Sequence, residues 1–185
     1  MRLLVSAVVL AALSVAPATA ATRSDSVIDA ITASEIAAIV TESNYDVEVK
    51  TDNHGDPYLV SERNGTKFII LFNGCNKAPD PLERICGDIQ FRSGYTLPSA
   101  ASLERMNQWN SDFRFGKAYL DEDGDPTIEM VVSMSGGVTR AYVRNMLKWW
   151  EIVLGDFEAH IGWGDDSEPE PEAKPDRSSL SGQPL

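Results

Sequence analysis

Two cysteines are the side chains of this sequence whose chemistry is most readily interpreted. Cys75 and Cys86 are the only cysteines in the chain, and a stretch containing two prolines separates them. Cysteine metal sites use a closer Cys-x-x-Cys spacing or a neighbouring histidine, and neither occurs here. A reactive thiol is the other alternative. If the chain reaches an oxidising compartment, the pair predicts a structural disulfide that closes one loop.

Residues for nucleophilic or acid–base catalysis do not form a recognisable set. His54 falls in a predicted turn and His160 near the end of a predicted helix, and no Gly-x-Ser-x-Gly motif occurs. Acidic side chains are abundant, but most fall in turns or on polar helix faces, where solvation accounts for them. We therefore predict no catalytic residue, no cofactor and no metal ligand. A small periplasmic enzyme of unassigned reaction stays as the alternative.

One acidic segment has the composition of a calcium loop but not its spacing. Asp121, Asp123 and Asp125 surround Gly124, whereas a calcium loop has glycine at its sixth position and glutamate at its twelfth. The same residue types are those that a tight turn requires. A second Asp-x-x-Gly-Asp-Pro segment occurs at 52–57, so we predict two related hairpins on one sheet.

The first 20 residues have the pattern of a secretory signal peptide. A charged start is followed by an apolar run from Leu3 to Val15, and Ala18 and Ala20 supply the small residues of a cleavage site. A membrane anchor would need about 20 apolar residues, more than this run provides. We expect cleavage after Ala20, a periplasmic or secreted location, and no membrane insertion after cleavage.

Length and charge limit the classes of partner. The 185 residues carry a net charge of -12, which opposes binding to phosphate backbones, so a nucleic-acid partner is disfavoured. The segment 21–163 has the apolar content of one globular domain. The segment 164–185, with alternating Glu and Pro, is too poor in apolar residues to fold and is predicted to be a disordered acidic tail.

Local signals within 21–163 predict an α+β fold in which an antiparallel sheet of about five to six strands packs with three helices. A Thr32–Glu35 capping box begins the first helix, and Asn64–Gly65 is typical of a hairpin turn. The apolar run 69–72 suggests a central strand covered on both faces. The first predicted strand begins at Val47, and the other five cover 58–62, 66–72, 88–95, 116–120 and 127–134. The three predicted helices end near Ser43, Phe113 and Ile161.

The last predicted helix, 138–161, is the most informative about how the protein acts. Its apolar residues cover an arc of about 220°, more than one contact with a sheet requires. Either the helix is buried between the sheet and another helix, or part of the arc binds a second copy or a client peptide. Trp149 and Trp150 lie about 100° apart, so one is expected in the core and the other nearer an edge. The candidate partner-binding residues are Trp149, Trp150, Trp109, Tyr142 and Phe157.

From Asn73 to Phe157 the chain resembles the YbjN family, whose bacterial members are described as candidate sensory transduction regulators. The resemblance rests on a combination of motifs: Leu103-Glu104-Arg105, Asn107-x-Trp109-Asn110, the run from Arg114 to Asp121, the Gly-Asp-Pro turn and Trp149-Trp150. It implies a fold similar to type III secretion chaperones and brings no catalytic residues with it. We therefore expect an exported, non-enzymatic domain that binds protein or peptide, with a regulatory or chaperone-like role and possible homodimer formation.

Overall fold

The computed structural model describes residues 27–28 and 30–164. The predicted signal peptide, and all but the first residue of the predicted tail, lie outside these residues. Three α-helices, a short 3-10 helix at Pro81–Glu83, one six-stranded sheet and one two-stranded sheet make up the described part, which confirms the α+β class. In chain order the elements are β1 (Val27–Ile28), α1 (Ala33–Glu42), β2 (Val47–Thr51), β3 (Pro57–Arg63), β4 (Thr66–Asn73), β5 (Asp88–Gly94), α2 (Leu103–Asp112), β6 (Lys117–Leu120), β7 (Pro126–Ser133), β8 (Val138–Thr139) and α3 (Arg140–Ile161).

The large sheet is antiparallel throughout, with the order β2-β3-β4-β5-β7-β6. Local sequence fixes its hairpins. Asn64 and Gly65 both have positive φ, 50° and 91°, as a two-residue turn between β3 and β4 requires. The strand β8, paired with β1, occupies the first two residues that the pattern assigned to the last helix.

The two Asp-x-x-Gly-Asp-Pro segments form the same turn at opposite edges of the sheet, which confirms the predicted pair of hairpins. Asp52 Oδ1 accepts hydrogen bonds from the backbone N–H groups two and four residues later, at 2.8 and 2.9 Å. Asp121 Oδ1 does the same at 3.0 and 2.9 Å. These carboxylates are occupied by their own turns, which accounts for the acidic residues without a bound ion.

The helices cover one face of the sheet, and the core lies between them. Trp150 of α3 packs against Phe68 of β4 and Phe91 of β5, with ring centroids 6.2 and 5.5 Å apart. The prediction that β4 is covered on both faces is wrong, because Ile69 and Leu71 on its other face are only half-buried. Their partial burial comes from neighbouring side chains in the sheet, so β4 is central without being sandwiched.

The predicted disulfide is present. Cys75 and Cys86 are bonded just beyond the ends of β4 and β5, where Asn73 pairs with Asp88. Cys86 also pairs with Ile31 ahead of α1 through two backbone hydrogen bonds of 3.0 and 2.9 Å. The bridge therefore connects the centre of the sheet to the start of the domain.

No helix in the described part of the chain is long and apolar enough to cross a membrane.

Candidate functional site

The apolar arc of α3 divides into a buried face and an exposed stripe. Its fully or nearly buried residues occupy about 120° of the helix circumference. Beside them, Tyr142, Trp149 and Ile152 are 41%, 38% and 50% exposed. The last helix is therefore a core helix that also presents an apolar stripe to solvent.

Only two of the five candidate partner-binding residues lie on that surface. Trp149 and Tyr142 are exposed, whereas Trp150, Trp109 and Phe157 are fully buried. The expectation that one of Trp149 and Trp150 lies in the core and the other nearer an edge is confirmed, and the core residue is Trp150. Trp150 and Phe157 are enclosed by other aromatic side chains, so their role in this fold is structural. Trp109 is likewise packed among aromatic rings, but it borders the cleft beside Trp149.

Trp109 is buried because it joins α2 to the loop ahead of β6. Its Nε1 donates a 3.0 Å hydrogen bond to the carbonyl oxygen of Gly116. Phe113 stacks on its ring with centroids 3.9 Å apart and planes within 10°, and Phe157 meets it edge-on at 5.1 Å. This stack fixes the end of α2 against α3.

Asn110 holds the other side of the same loop. Its side-chain amide donates to the carbonyl oxygen of Ala118 and its Oδ1 accepts from the Ala118 N–H, both at 2.9 Å. The two bonds satisfy the outward-facing backbone groups of the edge strand β6. Gly116 has φ of 83°, and an added Cβ would lie 2.9 Å from atoms of Ile128 and Val153. The backbone here reaches the core only because the residue is glycine.

A groove of about 400 Å³ opens between α3 and this loop. Phe115 packs on Trp149 with ring centroids 4.9 Å apart, and Ile152 lies one turn further along α3. A volume of this size holds one or two bulky side chains. We call this cleft the aromatic groove; its lining residues are Trp109, Asp112, Phe113, Arg114, Phe115, Trp149, Ile152, Val153 and Asp156.

Three charged side chains lie on the rim of the aromatic groove. Asp112 ends α2, Arg114 follows it in the loop, and Asp156 projects from α3. All three are exposed. Within the described residues, none of them forms an ion pair. The groove thus combines an apolar floor with charges that the domain itself leaves unneutralised.

Glu129 on the open face of the sheet collects several donors. Lys117 Nζ lies 2.5 Å from its Oε1, and Gln90, Arg92 and Tyr119 contact Oε2 at 2.6, 3.3 and 3.3 Å. Burial raises the pKa of this carboxyl, but the hydrogen bond and charge of Lys117 and the charge of Arg92 outweigh it, so the pKa is lowered. An ionised, saturated carboxylate of this kind holds strands together and has no proton to transfer near neutral pH.

A second carboxylate, Glu158 on α3, bridges the helix to the sheet. It accepts hydrogen bonds from Thr66 at 2.5 Å and from the Tyr95 hydroxyl at 3.4 Å, and Arg63 lies 4.0 Å away. Burial raises the pKa of Tyr95, which keeps the phenol protonated as a donor. The cluster is a fastening between layers.

His160 does not face a nucleophile. Its Nε2 lies 2.8 Å from the carbonyl oxygen of Arg105, and its ring packs among Trp109, Phe113 and Phe157. Across residues 27–164, leaving aside residue 29, no group of three or more His, Cys, Asp or Glu side chains is arranged to hold a metal ion. The apolar groove lies beside Trp149 and is not lined by His160, whereas Asp46, Glu62 and Glu151 line a separate, polar cleft.

Sequence reasoning did not single out the residues that turn an exposed tryptophan into a groove. Ile152 belongs to the apolar arc, and Phe115 lies in the run from Arg114 to Asp121, but neither was selected as a site residue. Asp112 and Asp156 looked like ordinary helix-surface charges. The available signal was a pair of phenylalanines, 113 and 115, directly after a helix, where a solvated loop would be polar.

Comparison with known proteins gives one finding. The model of the family YbjN, described as a putative bacterial sensory transduction regulator, matches residues 32–163. No curated protein matches the chain. The matched segment begins at the N-cap of α1 and ends two residues after α3, so it includes the whole six-stranded sheet and the aromatic groove. The chain therefore belongs to the YbjN family.

Proposed function

We propose that this protein is an exported, non-enzymatic regulatory protein that acts by binding a segment of a client protein in the aromatic groove. The observation that carries the proposal is the groove itself, in which Trp149 and Ile152 stay exposed beside Phe115 although most of the apolar arc is buried. Exposed aromatic side chains in a concave, apolar cleft are typical of recognition sites.

The walls of the groove are preorganised, which favours binding over accidental exposure. Trp109 and Asn110 hold the loop by three hydrogen bonds of 2.9–3.0 Å, and Phe113 is locked by its stack on Trp109. A ligand therefore does not have to order the loop when it binds, and less free energy is lost on association.

Export is supported by two independent features. The first 20 residues have the signal-peptide pattern, and Cys75 is bonded to Cys86, whereas reducing cytosol keeps such pairs as thiols. We propose a periplasmic or secreted location on these grounds. Intact-mass measurement of the protein purified from the periplasm should give a chain that begins at Ala21. A full-length chain found only in the cytosol would overturn this part of the proposal.

Site-specific photo-crosslinking in the producing cell tests client binding. A photoreactive phenylalanine analogue at Ile152 should give discrete adducts that disappear when Trp149 is also changed to Ala. The matched control carries the analogue at Val131, which is 58% exposed on the open face of the sheet. Adducts of equal yield at both positions, or adducts that persist without Trp149, would show that the groove is not the binding surface.

A further inference from the structure

The charges on the rim indicate which segments the aromatic groove selects, provided that the groove binds segments as proposed above. We propose that it takes a peptide in which a bulky apolar side chain is followed, within about one helical turn, by Lys or Arg. The apolar side chain packs in the groove against Trp149 and Ile152, and the basic side chain lies at the acidic rim.

Asp156 lies beside the apolar residues of the groove. It follows Ile152 by four residues and Trp149 by seven, so these three residues lie on one stripe of α3. A side chain anchored against Trp149 and Ile152 therefore has a carboxylate next to it, one turn further along. Asp112 stands on the opposite wall at the end of α2.

The rim of the aromatic groove has a net negative charge. Both carboxylates are exposed and, in the described part of the chain, unpaired, while Arg114 is the single basic residue of the lining. The rim is therefore negative by one charge, and the whole chain carries -12. A negative surface of this kind attracts a cationic segment and repels an acidic one during encounter.

Shape decides against a second copy of the domain as the occupant. A twofold contact places the same patch on both partners, so the patch must complement itself. A concave cleft with an acidic rim faces its own concavity and its own charge in such a contact. A peptide that inserts one or two side chains meets neither problem and matches the way in which amphipathic helices occupy grooves.

Peptide display on the full-length, processed protein tests the selectivity directly. A randomised 12-residue library is selected on the wild-type protein and counter-selected on Trp149→Ala, whose folding is checked by far-UV circular dichroism. Enriched peptides should share a Phe, Leu, Ile or Trp with Lys or Arg three or four residues later. Their affinities are then measured by fluorescence anisotropy at low and high salt.

Charge variants separate the rim from general electrostatics. Asp112→Asn combined with Asp156→Asn should weaken binding of the enriched peptides about fivefold to tenfold and reduce its salt dependence. The control, Glu122→Gln combined with Asp123→Asn, removes the same charge from the exposed turn between β6 and β7 and should leave affinity unchanged.

The remaining outcomes distinguish this inference from the proposed function. Enriched peptides with apolar anchors but no basic residue, or with acidic ones, would overturn the inference and leave groove binding intact. A lack of enrichment over Trp149→Ala would overturn groove binding itself. A dimer in light scattering that becomes monomeric in Trp149→Ala would assign the groove to a second copy. Tighter peptide binding by Leu180→Ser would assign it to the chain's own segment 165–185. Either assignment overturns the inference.

Discussion

The two ends of the sheet are built from the same local motif but differ in the side chains that contact α3. At one end α1 precedes the hairpin of β2 and β3, and at the other α2 precedes the hairpin of β6 and β7. Each helix begins with a hydroxyl N-cap, Thr32 or Ser102. Each hairpin turns through the same aspartate-centred set of hydrogen bonds. The two ends share their backbone design.

Their side chains differ where each end meets α3. At the α1 end, Glu42 lies 3.3 Å from Arg140 and 3.9 Å from Arg144, and the neighbouring clefts are lined mostly by polar residues. At the α2 end, aromatic rings line the cleft, and the rim charges form no ion pair with any other residue that the structure describes. The repeated backbone therefore supplies the scaffold, while the side chains at the α2 end supply the candidate function.

The largest loss of stability should come from replacing Trp150, which lies in the core, and it should far exceed the loss from replacing Trp149, which lies in the groove. Trp150→Ala removes a fully buried ring from between Phe68 and Phe91 and should cost about 3–5 kcal/mol of unfolding free energy through the cavity it leaves. Trp149→Ala should cost about 1 kcal/mol or less, because its ring is partly exposed. Urea unfolding measures both. Equal losses would mean that Trp149 is also a core residue.

Reduction of the disulfide should weaken the molecule next most, and mainly toward α1. Closing this short loop stabilises the fold by about 3 kcal/mol in the loop-entropy model, and Cys86 pairs with Ile31 just before α1. Melting with and without reductant gives the total. Hydrogen exchange should show faster exchange at Ile31 and Cys86 and no change at Ala118, whose N–H donates to Asn110. Loss of protection at the α2 end would show that the two ends are coupled through the bridge.

A pair of glycines tests how closely the groove wall approaches the core. Gly116 and Gly124 have nearly equal φ, 83° and 82°, but only at Gly116 would a Cβ meet other atoms. Gly124→Ala should cost about 1 kcal/mol for the left-handed backbone, and Gly116→Ala about 2–4 kcal/mol because overpacking adds to it. Thermal unfolding compares them. If the two variants are equally stable, the close approach at Gly116 does not constrain the wall.

Local signals in the sequence were sufficient for much of the backbone. The Thr32 capping box, the Asn64–Gly65 turn and the two aspartate turns act within a few residues, so their outcomes follow from short-range chemistry. The disulfide followed from Cys75 and Cys86 being the only possible pair. The open face of β4 was missed, because an apolar run does not reveal whether a second layer exists.

The groove could be predicted only in part, because it depends on contacts between distant segments. Helical periodicity separated Trp150 from Trp149, since both lie on one element. No local sequence pattern predicts the contact between Phe115 and Trp149, because that contact requires Trp109 to bond Gly116 and Gly116 to pack against α3. The burial of Trp109, a candidate partner-binding residue, could not be predicted for the same reason, since it depends on a loop whose path is set by tertiary packing.

A smaller effect, the change of stability with pH, should distinguish Glu129, on β7 beside the β6 edge, from Glu48 on the β2 edge. The pKa of Glu129 is lowered below 4.5 in the folded protein. Its contribution to stability is therefore complete above that pH and is lost as the pH falls through the lower, folded value. Glu129→Gln should cost about 1–2 kcal/mol at pH 7 and less at pH 3. Glu48→Gln, on the exposed β2 edge, is the control. A cost for Glu129→Gln that does not change with pH would contradict the assignment.

The smallest predicted effect compares a paired carboxylate at the α1 end with an unpaired one at the α2 end. Glu42→Gln removes the partner of Arg140 and Arg144 and should destabilise the protein by about 0.5 kcal/mol, since exposed ion pairs contribute little. Asp156→Asn should be neutral or slightly stabilising, because no cation among residues 30–164 pairs with Asp156 and the chain is already strongly acidic. Chemical denaturation at low and high salt measures both, and the Glu42→Gln effect should shrink with salt. If Asp156→Asn proves the more destabilising of the two, Asp156 has a structural partner in the folded protein, and the acidic rim of the aromatic groove is not free to receive a basic side chain.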